Sequence, residues 1–170
     1  LAKIFRISLS NGKTIISIED ELKHCKNYMN IQKYRYKERF VTEYDVSEEI
    51  HQFCTVKLII QPILENAIYY GVGNMDADDN PRILVKGWRT DNDIYLAVSD
   101  NGMGMRQEDV KNILSDNKKV PKHGSGVGLI NVHTRIQLMF GQQYGLHFYN
   151  ENDFAVVKME IPYVKDDYRG

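Results

Sequence analysis

Residues 94–105 read Ile94-Tyr95-Leu96-Ala97-Val98-Ser99-Asp100-Asn101-Gly102-Met103-Gly104-Met105, an apolar strand that runs straight into an acid, an amide and two glycines. Ile94, Leu96 and Val98 alternate with Tyr95, Ala97 and Ser99, the period-two pattern of a half-buried strand. A carboxylate at the end of such a strand can accept a hydrogen bond from an exocyclic amine, that of adenine for example. Gly102 and Gly104 permit positive φ and let backbone approach a flat ring closely. Taken alone, the same residues also make an ordinary Asp-Asn-Gly turn, so their surroundings decide.

Just upstream, Arg82–Arg89 reads as a strand joined to 94–99 by the tight connection Thr90-Asp91-Asn92-Asp93. Before the polar run from Asn74 to Pro81, a helix is expected over about 56–72. At 100° per residue, Ile59, Ile60, Ile63, Leu64, Ala67 and Ile68 fall on one side, and Pro62, Glu65, Asn66 and Tyr69 on the other. The helix therefore buries aliphatic residues and turns an acid and an amide toward a common space. An Asn carbonyl suits Mg²⁺, which takes hard oxygen donors, and a neighbouring carboxylate can orient or deprotonate an attacking group.

Downstream, a short helix is expected over 106–115, followed by the polar loop 116–125. Gly124-Ser125-Gly126-Val127-Gly128-Leu129 then opens a helix expected over Val127–Phe140 and ended by Gly141. Glycines at a helix start leave backbone N–H groups available, and the helix dipole favours an anion there. The spacing fits neither a Walker nor a Rossmann loop: no Lys follows the glycines, and a polar loop precedes them where a strand would stand. Two closing strands, Leu146–Asn150 and Phe154–Ile161, are joined by Glu151-Asn152-Asp153. Nearer the start, 19–39 has helical spacing through Leu22, Cys25, Met29, Gln32 and Tyr36, with acids first and bases last. Phe40–Val46 reads as a short strand, and Leu1, Ile4, Phe5 and Leu9 as the tail of a preceding helix. Helices segregated from hairpin-connected strands predict an α+β fold, a two-layer α/β sandwich with one helical layer on a mixed sheet.

The 170 residues suit one domain, and 42% hydrophobic with 26% charged residues is ordinary globular composition. A net charge of -1 gives no reason to expect nucleic-acid binding, and no apolar run is long enough for membrane insertion. Cys25 and Cys54 lack metal-ligand spacing, which points to a reducing setting.

Together the three clusters, in this order, resemble the ATP-binding fold shared by gyrase, heat-shock chaperones, sensor histidine kinases and mismatch-repair proteins, the Bergerat or GHKL fold. Glu65-Asn66-Ala67 matches its N box, Asp100-Asn101-Gly102-Met103-Gly104 its adenine box, and Gly124-Ser125-Gly126-Val127-Gly128-Leu129 its glycine box. Gln61-Pro62, then Asn131, Arg135 and Gly141, and the segment Ile18-Glu19-Asp20-Glu21-Leu22 with Tyr28, Ile31, Gln32 and Arg35, resemble sensor histidine kinases of the LytS/YesM type. The resemblance implies ATP and Mg²⁺ as cofactors, with Asn66 holding the metal and Glu65 assisting phosphoryl transfer. Asp100, Gly102, Gly104 and Met105 would hold the adenine, and Tyr70 with Gly124, Ser125, Gly126, Val127, Gly128 and Leu129 the rest of the nucleotide, beneath a lid at 106–123. It further implies that residues 1–17 end a dimerisation helix or linker, that 18–162 form the ATP-binding catalytic domain, and that 163–170 are a polar tail. The phosphoacceptor would be a histidine on a dimerisation segment of the same kinase, working as a homodimer with a response regulator. The whole would be a membrane-bound bacterial receptor with this domain in the cytoplasm.

Two departures stand out. Tyr69 and Tyr70 occupy places after the N-box Ala where the family often has a basic residue or histidine. The family's Pro-His-Phe acceptor segment is matched by none of the histidines: His147-Phe148 falls in an expected strand, His123 in the lid, and His24, His51 and His133 read as surface or loop residues. The alternative is a serine kinase of the anti-sigma type or a non-catalytic ATP-binding switch of the same superfamily.

Overall fold

The computed structural model describes residues 14–104, 107–115 and 126–165. The expected helix at 1–11, the loop 116–125 and the end of the tail lie outside these residues. Strand β1 (Ile15–Ser17) leads directly into helix α1 (Ile18–Arg35), where the Ser17 hydroxyl caps the first turn by accepting from the Asp20 N–H at 3.1 Å. Glu19, Asp20 and Glu21 occupy that first turn and Lys33 and Arg35 the last, a charge order matched to the helix dipole. The helix ends short of the 39 expected, because Lys37 and Glu38 take left-handed φ values of 52° and 54° and turn the chain back.

Strand β2 (Val41–Val46) follows, then β3 (Cys54–Val56), which pairs antiparallel with β1 in register Ile15↔Val56. The helix expected over 56–72 therefore starts later than its apolar pattern implies. Cys54–Val56 is strand, Leu58 takes φ 57°, and α2 (Gln61–Asn66) begins only after that turn. Glu21, fully buried, reaches across from α1 to accept from the Leu58 N–H at 2.9 Å and, on its other oxygen, from the Ile59 and Ile60 N–H groups at 2.8 and 3.0 Å. These amides have no acceptor within the helix they precede. The Arg135 guanidinium donates to the carbonyls of Leu58, at 3.1 Å, and Lys57. The turn that launches α2 is thus held by its N–H groups from one helix and by its carbonyls from another. Past Asn66 the chain widens into a π-helical turn, Ala67–Gly71, and then a 3₁₀ turn, Val72–Asn74.

The remaining elements are β4 (Arg82–Arg89), β5 (Asp93–Asp100), α3 (Gln107–Leu114), α4 (Val127–Phe140), β6 (Gly145–Glu151) and β7 (Phe154–Pro162). Five strands form one sheet in the order β2-β4-β5-β7-β6, with β2 and β4 parallel and the other neighbours antiparallel. Asn152 and Asp153, both at positive φ, make the β6–β7 turn. One face of the sheet carries Ile83, Val85, Ile94, Leu96, Val98, Leu146, Met159 and Ile161, all buried against Ile63, Leu64, Leu129, Val132 and Ile136 of α2 and α4. Each such burial contributes on the order of 1.5–3 kcal/mol. The opposite face has a stacked Trp88–Tyr95 pair with ring centroids 5.5 Å apart, and Lys158 lies over Tyr95. This is the expected two-layer arrangement, one helical layer on a mixed sheet.

Candidate functional site

Strand parity builds the floor of the site. Ile94, Leu96 and Val98 face the helices, so the same parity turns Asp100 inward at the end of β5. The β5–β7 register sets Asp100 opposite Ala155 and Val98 opposite Val157. On β6, Phe148 pairs with Val157 and Asn150 with Ala155. Of these, Asp100, Phe148, Asn150, Ala155 and Val157 line a cavity of about 360 Å³, together with Asn66, Tyr70 and Gly71 from the helical side and Val110 and Lys111 of α3. That size and lining, apolar walls with few polar groups, is what small-ligand sites have.

At one end of the cavity stands the Asp100 carboxylate, only 8% exposed. Its Oδ1 accepts from the Gly102 N–H at 3.0 Å, and among the described residues no donor reaches Oδ2. Burial raises the carboxyl from 3.8 to about 6, while the Gly102 hydrogen bond opposes that rise. Two glycines make this geometry possible. A Cβ on Gly71 would lie 2.4 Å from Asp100 Oδ1, and one on Gly102 would lie 2.4 Å from the Gly71 Cα. Gly104, which also lines the cavity, stands at φ 72°, in the left-handed region that favours glycine. Asn101 serves the loop: its Oδ1 accepts from the Arg82 N–H at 2.7 Å and its amide donates to the Asn80 carbonyl at 3.0 Å.

A second cavity, about 520 Å³, adjoins the first and shares Asn66 and Tyr70 with it. Glu65 and Pro62 line it from α2, Gly126, Gly128 and Leu129 from the start of α4, and Tyr28, Gln32 and Arg35 from α1. Gly126 precedes α4 with no side-chain cap, which leaves the backbone amides of that first turn directed to the cavity end of the helix. Glu65 is exposed and accepts from Gln61 Nε2 at 3.1 Å. Tyr69 and Tyr70 meet edge to face with centroids 4.7 Å apart. The Tyr28 hydroxyl is pushed up to about 12, first by burial, then by the Glu65 carboxylate and Tyr36, with Arg35 opposing.

A strand-end acid over an apolar floor, an adjoining helix with an acid-amide pair, and a glycine-initiated helix across from it thus share one continuous cleft. The sequence model for the histidine kinase-, DNA gyrase B-, and HSP90-like ATPases matches residues 55–161. The chain belongs to this ATPase family. A second model, for histidine kinases, matches residues 1–40. Among curated relatives, the sensor histidine kinase YesM of Bacillus subtilis is 33% identical over 153 residues, which are 90% of this chain and 25% of that protein. The sensor protein LytS of Staphylococcus saprophyticus is 28% identical over 164 residues, 96% of this chain and 27% of that protein. The chain therefore spans about a quarter of the length of these relatives. Among solved structures, a nucleotide-free catalytic domain of the histidine kinase ThkA superposes with a TM-score of 0.68 at 14% identity, covering 89% of this chain and 97% of that one. At that identity the likeness concerns the fold, and it agrees with the ATPase family.

Of the residues singled out from sequence, Asn66, Tyr70, Asp100 and Gly104 line the first cavity, and Glu65, Asn66, Tyr70, Gly126, Gly128 and Leu129 the second. Gly102 acts from outside both, through its N–H. Leu129 is buried in the core at 1% exposure, and Val127 is exposed and lines neither cavity. Met105, Gly124 and Ser125 lie outside the described residues. Gly71, Phe148, Asn150 and Ala155 were not anticipated. Their signal was strand parity on β6 and β7, and for Gly71 a glycine closing the N-box helix. His133, read as a surface or loop residue, is half-buried: its Nδ1 accepts from the Leu146 N–H at 3.0 Å, and burial lowers its pKa. His147, exposed, lies 2.9 Å from Glu160 on β7. Among the described residues no helix is long and apolar enough to cross a membrane.

Proposed function

We propose that this ATPase-family chain is the catalytic domain of a two-component sensor histidine kinase, moving the γ-phosphoryl group of ATP to a histidine on a dimerisation segment of the same kinase. The observation that carries this is Asp100, a buried carboxylate that lines a largely apolar cavity, with one oxygen held by Gly102 and, among the described residues, no donor on the other. In this reading Oδ2 accepts from the adenine amine, and Phe148, Ala155 and Val157 form the floor for the ring. Gly102, Gly104 and Met105 carry the chain past the base. The phosphates extend past Asn66 and Tyr70 toward the amides of Gly124, Ser125, Gly126, Val127, Gly128 and Leu129, in the manner of anions at helix starts.

The site also suits Mg²⁺. Among the described residues no group of three or more His, Cys, Asp or Glu side chains could hold a metal alone. The Asn66 amide oxygen, placed between the two cavities, offers one hard donor, and phosphate oxygens and water would complete the shell. When bound, the ion neutralises charge on the phosphoryl oxygens. Glu65, exposed on the rim, orients the incoming imidazole and takes up its proton. Catalysis here is mainly positioning and charge stabilisation. The full kinase would be a homodimeric, membrane-bound bacterial receptor that keeps this domain in the cytoplasm and passes the phosphoryl group to a response regulator.

Titration calorimetry with Mg-ATP tests the reading. Wild type binds saturably, and Asp100→Asn binds at least about tenfold more weakly. An Asn oxygen can keep the Gly102 N–H, but its amide then points a donor at the adenine donor, a mismatch costing about 1–3 kcal/mol. Supplying a histidine-containing dimerisation segment in trans, with γ-labelled ATP, should then give label on histidine. No wild-type binding overturns the nucleotide reading, and binding without transfer to histidine overturns the kinase assignment alone.

A further inference from the structure

We propose that Arg35, in the last turn of α1, contacts the terminal phosphoryl group of bound ATP from across the second cavity. The assignment rests on the nucleotide reading above and adds to it a residue from an element outside the three boxes. Asn66 and Tyr70 line both cavities, so a ligand whose base sits on Asp100 has a direct path for its charged end into the second. There it meets the start of α4 at Gly126 on one side and α1 on the other. Among the described residues that line this second cavity, Arg35 is the one cation and Glu65 the one anion.

Those two facts set an electrostatic requirement. A triphosphate brings several negative charges to a space that already holds the Glu65 carboxylate, and helix-start amides offer only partial charges. Tyr69 and Tyr70, on the N-box side, can donate hydrogen bonds but bring no charge. Among the described residues lining this cavity, Arg35 is the one that supplies a positive charge. Its side chain is exposed, and among the described residues it makes no ion pair. Its planar fork suits the two-point capture of phosphoryl oxygens. Arg35 and Glu65 also act on the Tyr28 hydroxyl in opposite directions, so both charges are felt at this third lining residue.

The competing explanation is that Arg35 merely complements the negative end of the α1 dipole, as Lys33 in the same turn does. Lys33 does not line the cavity, which makes it the control. Calorimetric titrations of ATP, ADP and AMP with Mg²⁺ would compare wild type, Arg35→Ala, Arg35→Lys and Lys33→Ala, with melting curves verifying that each is folded. Arg35→Ala should lose about tenfold in ATP affinity, as expected for one charge-assisted contact, and keep ADP and AMP within about twofold. Arg35→Lys should retain part of the ATP preference, and Lys33→Ala all of it. Unchanged ATP affinity in Arg35→Ala, or a parallel loss for all three nucleotides, overturns the assignment. A wild type that binds none of them overturns the nucleotide reading itself, a different outcome from selective failure at Arg35.

Discussion

Burial holds the Asp100 carboxyl at about 6 even though the Gly102 N–H favours its charged form. A folded-state pKa above the unfolded one means that the native fold prefers the proton. That preference adds stability below the unfolded value and is lost as pH rises through about 6. A rise from 3.8 to about 6 corresponds to a penalty on the order of 3 kcal/mol on the charged form at neutral pH. The proposed role needs the opposite state, because only the carboxylate would leave Oδ2 as an acceptor for an adenine amine. Two outcomes follow for Asp100. ATP affinity should fall as pH drops below about 6, read by calorimetry between pH 5 and 8, and a flat profile would show that Asp100 is not the base reader. In the apo domain, Asp100→Asn should gain on wild type by about 2 kcal/mol between pH 4.5 and pH 7.5, with the two converging only below the unfolded value of 3.8, measured by urea unfolding. The residue most needed for binding would thus be one the empty fold holds at a cost, the balance expected of a binding residue kept buried.

Among the elements, α2 carries the greatest departure from its sequence pattern, and the reason is physical. The aliphatic face Ile59 to Ile68 is buried as its spacing requires, so the direction in which Glu65 and Asn66 point was legible. The helix start was not. Cys54–Val56 looks equally suited to helix or strand until β1 is beside it, and a leucine at left-handed φ gives no local sign. What fixes that turn is remote in sequence: Glu21 on three of its amides and Arg135 on its carbonyls. Glu21→Gln keeps one acceptor but aims an amide N–H₂ at backbone N–H groups, and should destabilise the domain by roughly 2–4 kcal/mol in urea unfolding. Combined with Arg135→Ala, the losses should be non-additive, since both hold one turn. A Glu21→Gln cost below about 1 kcal/mol would mean that the turn forms without its carboxylate.

At the scale of the molecule, the two-layer fold and the order of its three clusters were readable because sheet parity and helical spacing are short-range signals. The register that brings Asn150, Ala155 and Phe148 beside Asp100 depends on strand pairing across more than fifty residues of chain, which no local pattern encodes. A cleft assembled from α1, α2, α4, β5, β6 and β7 has a consequence for cooperativity: a nucleotide bound there favours the whole native arrangement, including parts it never touches. Cys25 on α1 and Cys54 on β3 report on this, because both are buried thiols and neither lines either cavity. Burial first, and then Glu21, raise the Cys25 thiol far above its usual range, so it should react only when the fold opens. If that opening is global, Mg-ATP at a hundred times its Kd should slow Cys25 labelling by about a hundredfold. Cys54 lies in a two-stranded pairing, an arrangement of low independent stability, so local opening should leave its labelling less affected. Single-cysteine variants and a disulfide-exchange reagent would resolve the two rates. A Cys25 rate indifferent to saturating Mg-ATP would show that α1 opens independently of the nucleotide cleft, contrary to the Glu21 tie that joins α1 to the start of α2.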